Sequence, residues 1–170
     1  REAKLRIVSD YAYSPVVELM PGILTALGVE AISLSANINE SKMAVQEAEF
    51  EKALWDMALI TGALEADLGL RFDVGGEKLF LADNRGKILS NGVALAVMAA
   101  LTWETMGPGV IAVPVQVSHI IEKLAQRYGG QVRRTKTDIS SLMDAARGKD
   151  VLMAGDGTGY FIFPHFQPAS

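Results

Sequence analysis

The stretch FDVGGEKLFLAD, residues 72–83, sets two carboxylates, two glycines and a lysine between short runs of apolar residues. Hard cations are held by carboxylate oxygens, and glycines let a backbone curl until Asp73 and Glu77 face one point. The turn is therefore a candidate metal site, although two ligands are too few to define one. A second glycine-rich turn, GDGTGY at 155–160, offers Asp156, Thr158 and Tyr160 on a backbone that can approach a ligand closely. Asp156 supplies acceptors, and Thr158 can both donate and accept.

Other reactive side chains read as structural. Ser140 and Ser141 stand where a helix begins, with no adjacent histidine to activate either, so no catalytic nucleophile is assigned. His119 follows a helix start and reads as a local hydrogen bonder; His165, in a PHFQP tail, carries no signal. Arg133, Arg134 and Lys136 are of a type that binds phosphate, but on a strand they alternate faces and read as a solvated edge. Trp55, Trp103 and the methionines at helical spacing read as core or interface.

These turns need elements to hold them. Leu5–Ser9 reads as a strand, and Ser14 as the cap of a helix that opens at Pro15, bends at Pro21 and stops at Gly28. Val16, Leu19, Met20, Ile23, Leu24 and Leu27 give that helix its apolar period. EAISLSA is a second strand, Ser41 to Leu64 mainly helix, DLGLRFD a third strand and KLFLAD a fourth, closed by a turn at Asp83–Gly86. After an apolar helix from Asn91 to Thr105 the order repeats. VIAVPVQ is a strand, Ser118 caps a helix ending at Gly129, QVRRTK is a strand, Asp138 to Arg147 a helix, and DVLMAG and YFIF two strands. This α/β order predicts two similar units, residues 1–86 and 87–170, each a four-stranded mixed sheet flanked by helices whose fourth strand is antiparallel to its third. Ligands on such sheets gather beyond the carboxyl ends of strands, where both glycine-rich turns lie.

Composition narrows the function classes. The 170 residues are 49% hydrophobic with a mean hydropathy of +0.21, yet the longest apolar run, near Val93 to Leu101, is too short to span a bilayer. Some apolar surface is expected to meet protein, whether another domain or a second copy. A formal charge of −4 with interspersed signs argues against nucleic acid and against a polybasic membrane patch. With no cysteine and two histidines, disulfides and thiolate sites are excluded and little remains for zinc. A start at Arg1, with no basic-then-apolar leader, reads as a cytoplasmic protein's excised fragment.

Taken in order, ADLGLRFDVGGEKLFLADNRGKIL, RRTKTDISSLMDAA and AGDGTGYFIF resemble the alpha-D-phosphohexomutase family, the phosphoglucomutases and phosphomannomutases. The resemblance covers nearly the whole chain. It implies that residues 1–86 correspond to the family's second domain and 87–170 to its third, without the domains that carry the phosphoserine and the phosphate clamp. It also implies a hexose phosphate as ligand, other domains of a parent chain as partners, and magnesium at the first turn. The family's metal loop reads Asp-Gly-Asp-Gly-Asp-Arg. Here Asp73 keeps the first carboxylate, Gly75 replaces the second, Glu77 the third, and Lys78 the arginine, so a weak, degenerate site is expected. In the sugar loop, commonly Gly-Gly-Glu-x-Ser-Gly-His, Asp156, Thr158 and Tyr160 replace glutamate, serine and histidine. Thr137 and Asp138 stand where the family usually has Val-Gly. DYAYSPVVELMPGILTALGVEAISLSA looks most like a divergent branch in which a mutase-like region follows a sugar nucleotidyltransferase, of the mannose-1-phosphate guanylyltransferase kind. On this resemblance the fragment alone is expected to lack mutase activity; the alternative is part of an active mutase moving phosphate between O1 and O6.

Overall fold

The computed structural model describes residues 4–42 and 46–166. Residues 43–45 of the expected helix from Ser41, and residues 167–170 of the PHFQP tail, lie outside the described residues. The chain divides into two compact units, Arg1–Leu89 and Ser90–Ser170. Against an expected division at Gly86, residues 87–89 stay with the first unit because the Asp83 and Leu89 amides donate to Lys87 and Leu81 carbonyls, both at 2.9 Å.

The first unit runs β1 (Arg6–Asp10), a 3-10 turn (Pro15–Glu18), α1 (Met20–Ala26), β2 (Glu30–Leu34), a 3-10 turn (Glu40–Lys42), α2 (Glu47–Ala63), β3 (Leu68–Phe72) and β4 (Leu79–Asp83). Its sheet has the order β2-β1-β3-β4, parallel except for β4. Alternation along β1 places Val8 in a cluster with Met57, Ala58, Ala66 and Ala82, beneath α2. The helix expected from Pro15 through Leu27 is two pieces. Proline has no amide hydrogen and its ring collides with the carbonyl four residues back, so Pro21 is accommodated in the first turn of a new helix rather than within one bent helix. The apolar period is genuine, but only Leu24 is buried in α1; Leu19 and Leu27 are 71% and 72% exposed.

The second unit runs α3 (Asn91–Met106), β5 (Val110–Pro114), α4 (Ile120–Tyr128), β6 (Gln131–Thr135), α5 (Ile139–Ala146), β7 (Val151–Gly155) and β8 (Phe161–Ile162). The sheet order β6-β5-β7-β8 repeats the first, again with the last strand antiparallel. Ile111 and Val113 pack with Leu95, Trp103 and Ile121 of α3 and α4, whereas Val110 and Ala112 pack with Leu142 and Ala146 of α5. A period of two thus fills both faces. Ser118 falls just short of its expected capping role: α4 begins at Ile120 with His119 in the cap position, and Ser118 Oγ accepts the Ile120 amide at 3.3 Å. Among the described residues no helix is long and apolar enough to cross a membrane.

At the carboxyl end of the first sheet, Asp10 and Arg71 are register partners on β1 and β3 and form a buried ion pair. Asp10 Oδ1 also accepts the Ala12 amide at 3.0 Å, fixing the turn where Ala12 and Tyr13 take φ of 52° and 59°. Removing one member of a buried pair strands the other charge, at a cost of about 3 to 5 kcal/mol. Arg71→Met should show that loss in urea unfolding, while Asp10→Asn/Arg71→Met, which keeps an acceptor for Ala12 and removes both charges, should lose distinctly less. Equal losses would contradict the assignment.

Asp138 caps α5, its Oδ1 accepting the Ser141 amide and its Oδ2 the Ser141 hydroxyl, both at 2.8 Å. The amide bond first and the hydroxyl bond second hold its carboxyl below the ordinary aspartate value. A lowered folded pKa stabilises the fold fully above the unfolded pKa, and that contribution is lost as pH falls through the folded value. A carboxyl NMR titration should give Asp138 a midpoint below about 3.9, and Ser141→Ala should move it upward; a midpoint above that value would refute the cap.

Candidate functional site

β7 ends at Gly155 and the chain must reverse within a few residues to enter the antiparallel β8, which leaves several amides of the turn without strand partners. Asp156 supplies what they need. Its Oδ1 accepts the Thr158 amide at 2.7 Å and the Tyr160 amide at 3.2 Å, and its Oδ2 accepts the Thr158 hydroxyl. Gly157 takes φ +76°, and a Cβ there would come within 3.3 Å of Val117 Cγ2, so the turn is both left-handed and pressed against the segment between β5 and α4. The loop is pre-organised by its own side chains.

Asp156, Gly157 and Thr158 form one end of a concavity of about 660 Å3. Its walls come from α3, through Val93 and Val97 among others, and from the segment after β5, through Gln116 and Ser118, with Ile120 opening α4. This is the carboxyl edge of the second sheet, where α/β folds place ligands. Among the described residues no lysine or arginine lines it, and Asp156 is the only charged one that does. A carboxylate has about four acceptor positions. Three are used inside the loop, leaving one on Oδ2, and Thr158 Oγ, having spent its proton, presents acceptor capacity too. The polar end of the concavity therefore offers acceptors to hydroxyl or ammonium donors. Tyr160 is half-buried and lies outside this lining.

The turn at Asp73 is built the same way. Asp73 Oδ1 accepts the Glu77 amide at 2.7 Å and the Lys78 amide at 3.0 Å, while the Asp73 amide donates to the Lys78 carbonyl at 3.1 Å. Gly76 takes φ +70°, and a Cβ there would fall on Val16 Cγ2. Among the described residues no three aspartate, glutamate or histidine side chains converge as metal ligands.

The remaining sequence candidates have defined places. Arg133 pairs with Asp150 at 2.7 Å. Arg134, expected at a solvated edge, instead turns to the other side of β6 and grips Glu122 through two bonds of 2.8 and 2.7 Å. Glu122 is pushed upward by burial, but the hydrogen bonds and charge of Arg134 outweigh that and hold its pKa low. His119 Nδ1 lies 3.3 Å from Arg134 Nη2. The sequence reading missed Gln116, Ser118 and the α3 wall, since nothing local marks them; the apolar residues of α3 carried only an interface signal.

No protein-family model matches the chain. Over 160 residues, 94% of the chain, it is 30% identical to a Methanopyrus kandleri protein described as "Probable phosphoglucosamine mutase", of which it covers 35%. It is 28% identical over 169 residues to the phosphoglucosamine mutase of Desulfovibrio desulfuricans, covering 95% of this chain and 36% of that one. The fold matches a phosphoglucomutase/phosphomannomutase family protein from Burkholderia thailandensis with a TM-score of 0.81 at 21% identity, over 95% of this chain and 36% of that chain. The chain spans about a third of the length of the curated relatives it matches. A likeness that runs through both repeated units in order, in sequence and in fold, makes this chain a region of the alpha-D-phosphohexomutase superfamily.

Proposed function

We propose that the chain is the second and third phosphohexomutase-type domains of a larger cytoplasmic sugar-phosphate protein, and that its remaining ligand recognition lies in the Gly155–Tyr160 loop. The observation that carries this reading is the acceptor-rich Asp156–Thr158 pair at the end of a concavity without a cation. Such a site suits the hydroxyls or the ammonium group of a hexose or hexosamine and gives the phosphate end nothing to hold. Relatives named phosphoglucosamine mutases support a hexosamine phosphate as the first ligand to try. The substrate contacts assigned to this chain are Asp156 and Thr158, with Tyr160 holding the loop through its amide.

Mutase activity by this chain alone is not part of the proposal. Phosphoryl transfer is positioning plus electrostatic stabilisation. Neither a convergent metal cluster nor a cation in the concavity is present among the described residues. A parent in which the region follows a nucleotidyltransferase, acting in nucleotide-sugar synthesis, fits this non-catalytic role; membrane and nucleic acid are not proposed partners. The second reading, part of an active hexose-phosphate mutase, is favoured by the relatives' names and would need the catalytic serine and phosphate clamp from the rest of the parent.

Titrating glucosamine 6-phosphate and mannose 6-phosphate into labelled protein should shift amides of residues 155–160 with a dissociation constant on the order of millimolar, equivalent to about 4 kcal/mol. Asp156→Asn preserves an acceptor for the loop amides while removing the charge, and should weaken the response; shifts elsewhere only, or an unchanged response in the variant, would sink the assignment.

For the first turn, calorimetric titration with millimolar magnesium should show no stoichiometric binding. Tight binding that disappears in Asp73→Ala would restore the metal site.

A further inference from the structure

We infer that Arg134 is a positioning residue for the Asp156–Thr158 loop, acting through the segment between β5 and α4; its effect on ligand binding rests on the function proposed above, but its effect on the loop does not. Arg134 projects from β6, the edge strand, and every N–H of its guanidinium is engaged. Nε donates to Glu122 Oε1 at 2.8 Å and Nη2 to Glu122 Oε2 at 2.7 Å, a two-point grip on the first turn of α4. Nη1 donates to the carbonyls of Pro114 at 3.0 Å and Val117 at 2.7 Å. Nη2 also reaches the Ser118 carbonyl at 3.5 Å and His119 Nδ1 at 3.3 Å.

This arrangement excludes one role and defines another. A guanidinium with five donors in use has none for a phosphate, so Arg134 is not an anion-binding residue. What it does is draw two carbonyls from the end of β5 and the following turn onto one nitrogen. Without that positive group their dipoles would repel, and the 114–118 segment would keep only backbone bonds, the Val117 amide to the Pro114 carbonyl at 3.1 Å and the Val115 amide to the Thr135 carbonyl at 3.0 Å, and loosen. The same segment supplies Gln116, Val117 and Ser118 to the wall of the concavity. Val117 is the contact that carries the effect onward, because Gly157 sits so close that even a methyl group there would lie 3.3 Å from Val117 Cγ2. The order of contacts is thus Arg134, Val117 carbonyl, Val117 side chain, Gly157, and then the flanking Asp156 and Thr158. Lysine cannot replace this fork, since a single ammonium on a flexible stem does not span two carboxylate oxygens and two carbonyls at once.

The test compares amide spectra and backbone relaxation of wild type, Arg134→Lys, Arg134→Met and Glu122→Gln in the whole 170-residue chain. Without any ligand, Arg134→Lys should remain folded, with the resonances of residues 4–42 and 46–89 unchanged. Amides of residues 115–118 and 156–158 should shift and become more mobile. With glucosamine 6-phosphate, binding should weaken by about tenfold, the low end of the range seen when groups that orient metal ligands are lost. Glu122→Gln, which keeps the carbonyl bonds, should show the same pattern at smaller amplitude; if Arg134→Met fails to fold, the other two variants carry the test. Shifts at 115–118 with 156–158 unmoved in Arg134→Lys would overturn the inference. If wild type itself fails to bind the sugar phosphate, the proposed function falls while the ligand-free shifts at 156–158 still decide the role of Arg134.

Discussion

Both glycine-rich turns answer one constraint: the third strand of each sheet is parallel to its neighbour while the fourth runs back against it, and the chain has only a few residues in which to reverse. Amides exposed in so tight a turn must find acceptors, and in each unit the first aspartate supplies them through a single carboxylate oxygen. Asp83 does the same in the next turn, accepting the Arg85 and Lys87 amides, both at 2.9 Å. Those amide bonds, with the one to Lys87 foremost, hold its carboxyl low. The aspartates at the two candidate sites are therefore structural before they are chemical. What distinguishes the turns is the remaining oxygen and its surroundings. Asp156 and Thr158 line a walled concavity, whereas Asp73 shares its turn with a glutamate and a lysine and, among the described residues, joins no cluster of three potential metal ligands.

Among the described residues, positive φ outside glycine is confined to the first unit. Ala12, Tyr13 and Ser35 all take positive φ just beyond the carboxyl ends of β1 and β2. The Tyr13 amide donates to the Ser35 carbonyl at 3.2 Å, so the two strained turns hold each other. Such conformations persist only when their surroundings over-determine them. Here the surroundings are the Asp10 bond to Ala12 and the buried pair with Arg71. In the second unit no described residue other than glycine takes such a conformation, and the segment after β5 is held by Arg134.

Much of this was legible in the sequence because it depends on near neighbours. The strand at VIAVP, the helix from Asp138, the stops at Gly28 and Gly129 and the repeat of element order all follow from residues close together in the chain, and the structure agrees with each. Two features were not legible for a physical reason. Pro21 could bend a helix or start one, and local pattern does not choose between them; the short segment after β1 does. Arg134 read as a solvated strand residue because its partners lie 12 to 20 positions away, on α4 and at the end of β5. Only the crossover from β5 through α4 to the parallel β6 brings them together.

A phosphate taken out of water needs a compensating cation or several oriented amides, since an uncompensated buried charge costs far more than a few hydroxyl contacts return. The concavity has mainly apolar walls, one carboxylate and a few hydroxyl and amide groups, and Arg134, which holds the adjoining 114–118 segment, is saturated by groups of its own chain. Lining of that kind repels a phosphate and tolerates the uncharged or cationic face of a sugar. On the proposed function, a hexose or hexosamine phosphate would thus lie with its hydroxyls toward Asp156 and its phosphate directed out of this unit. Selectivity in this loop then concerns the sugar ring, and discrimination among phosphate positions must be exercised by groups beyond the concavity.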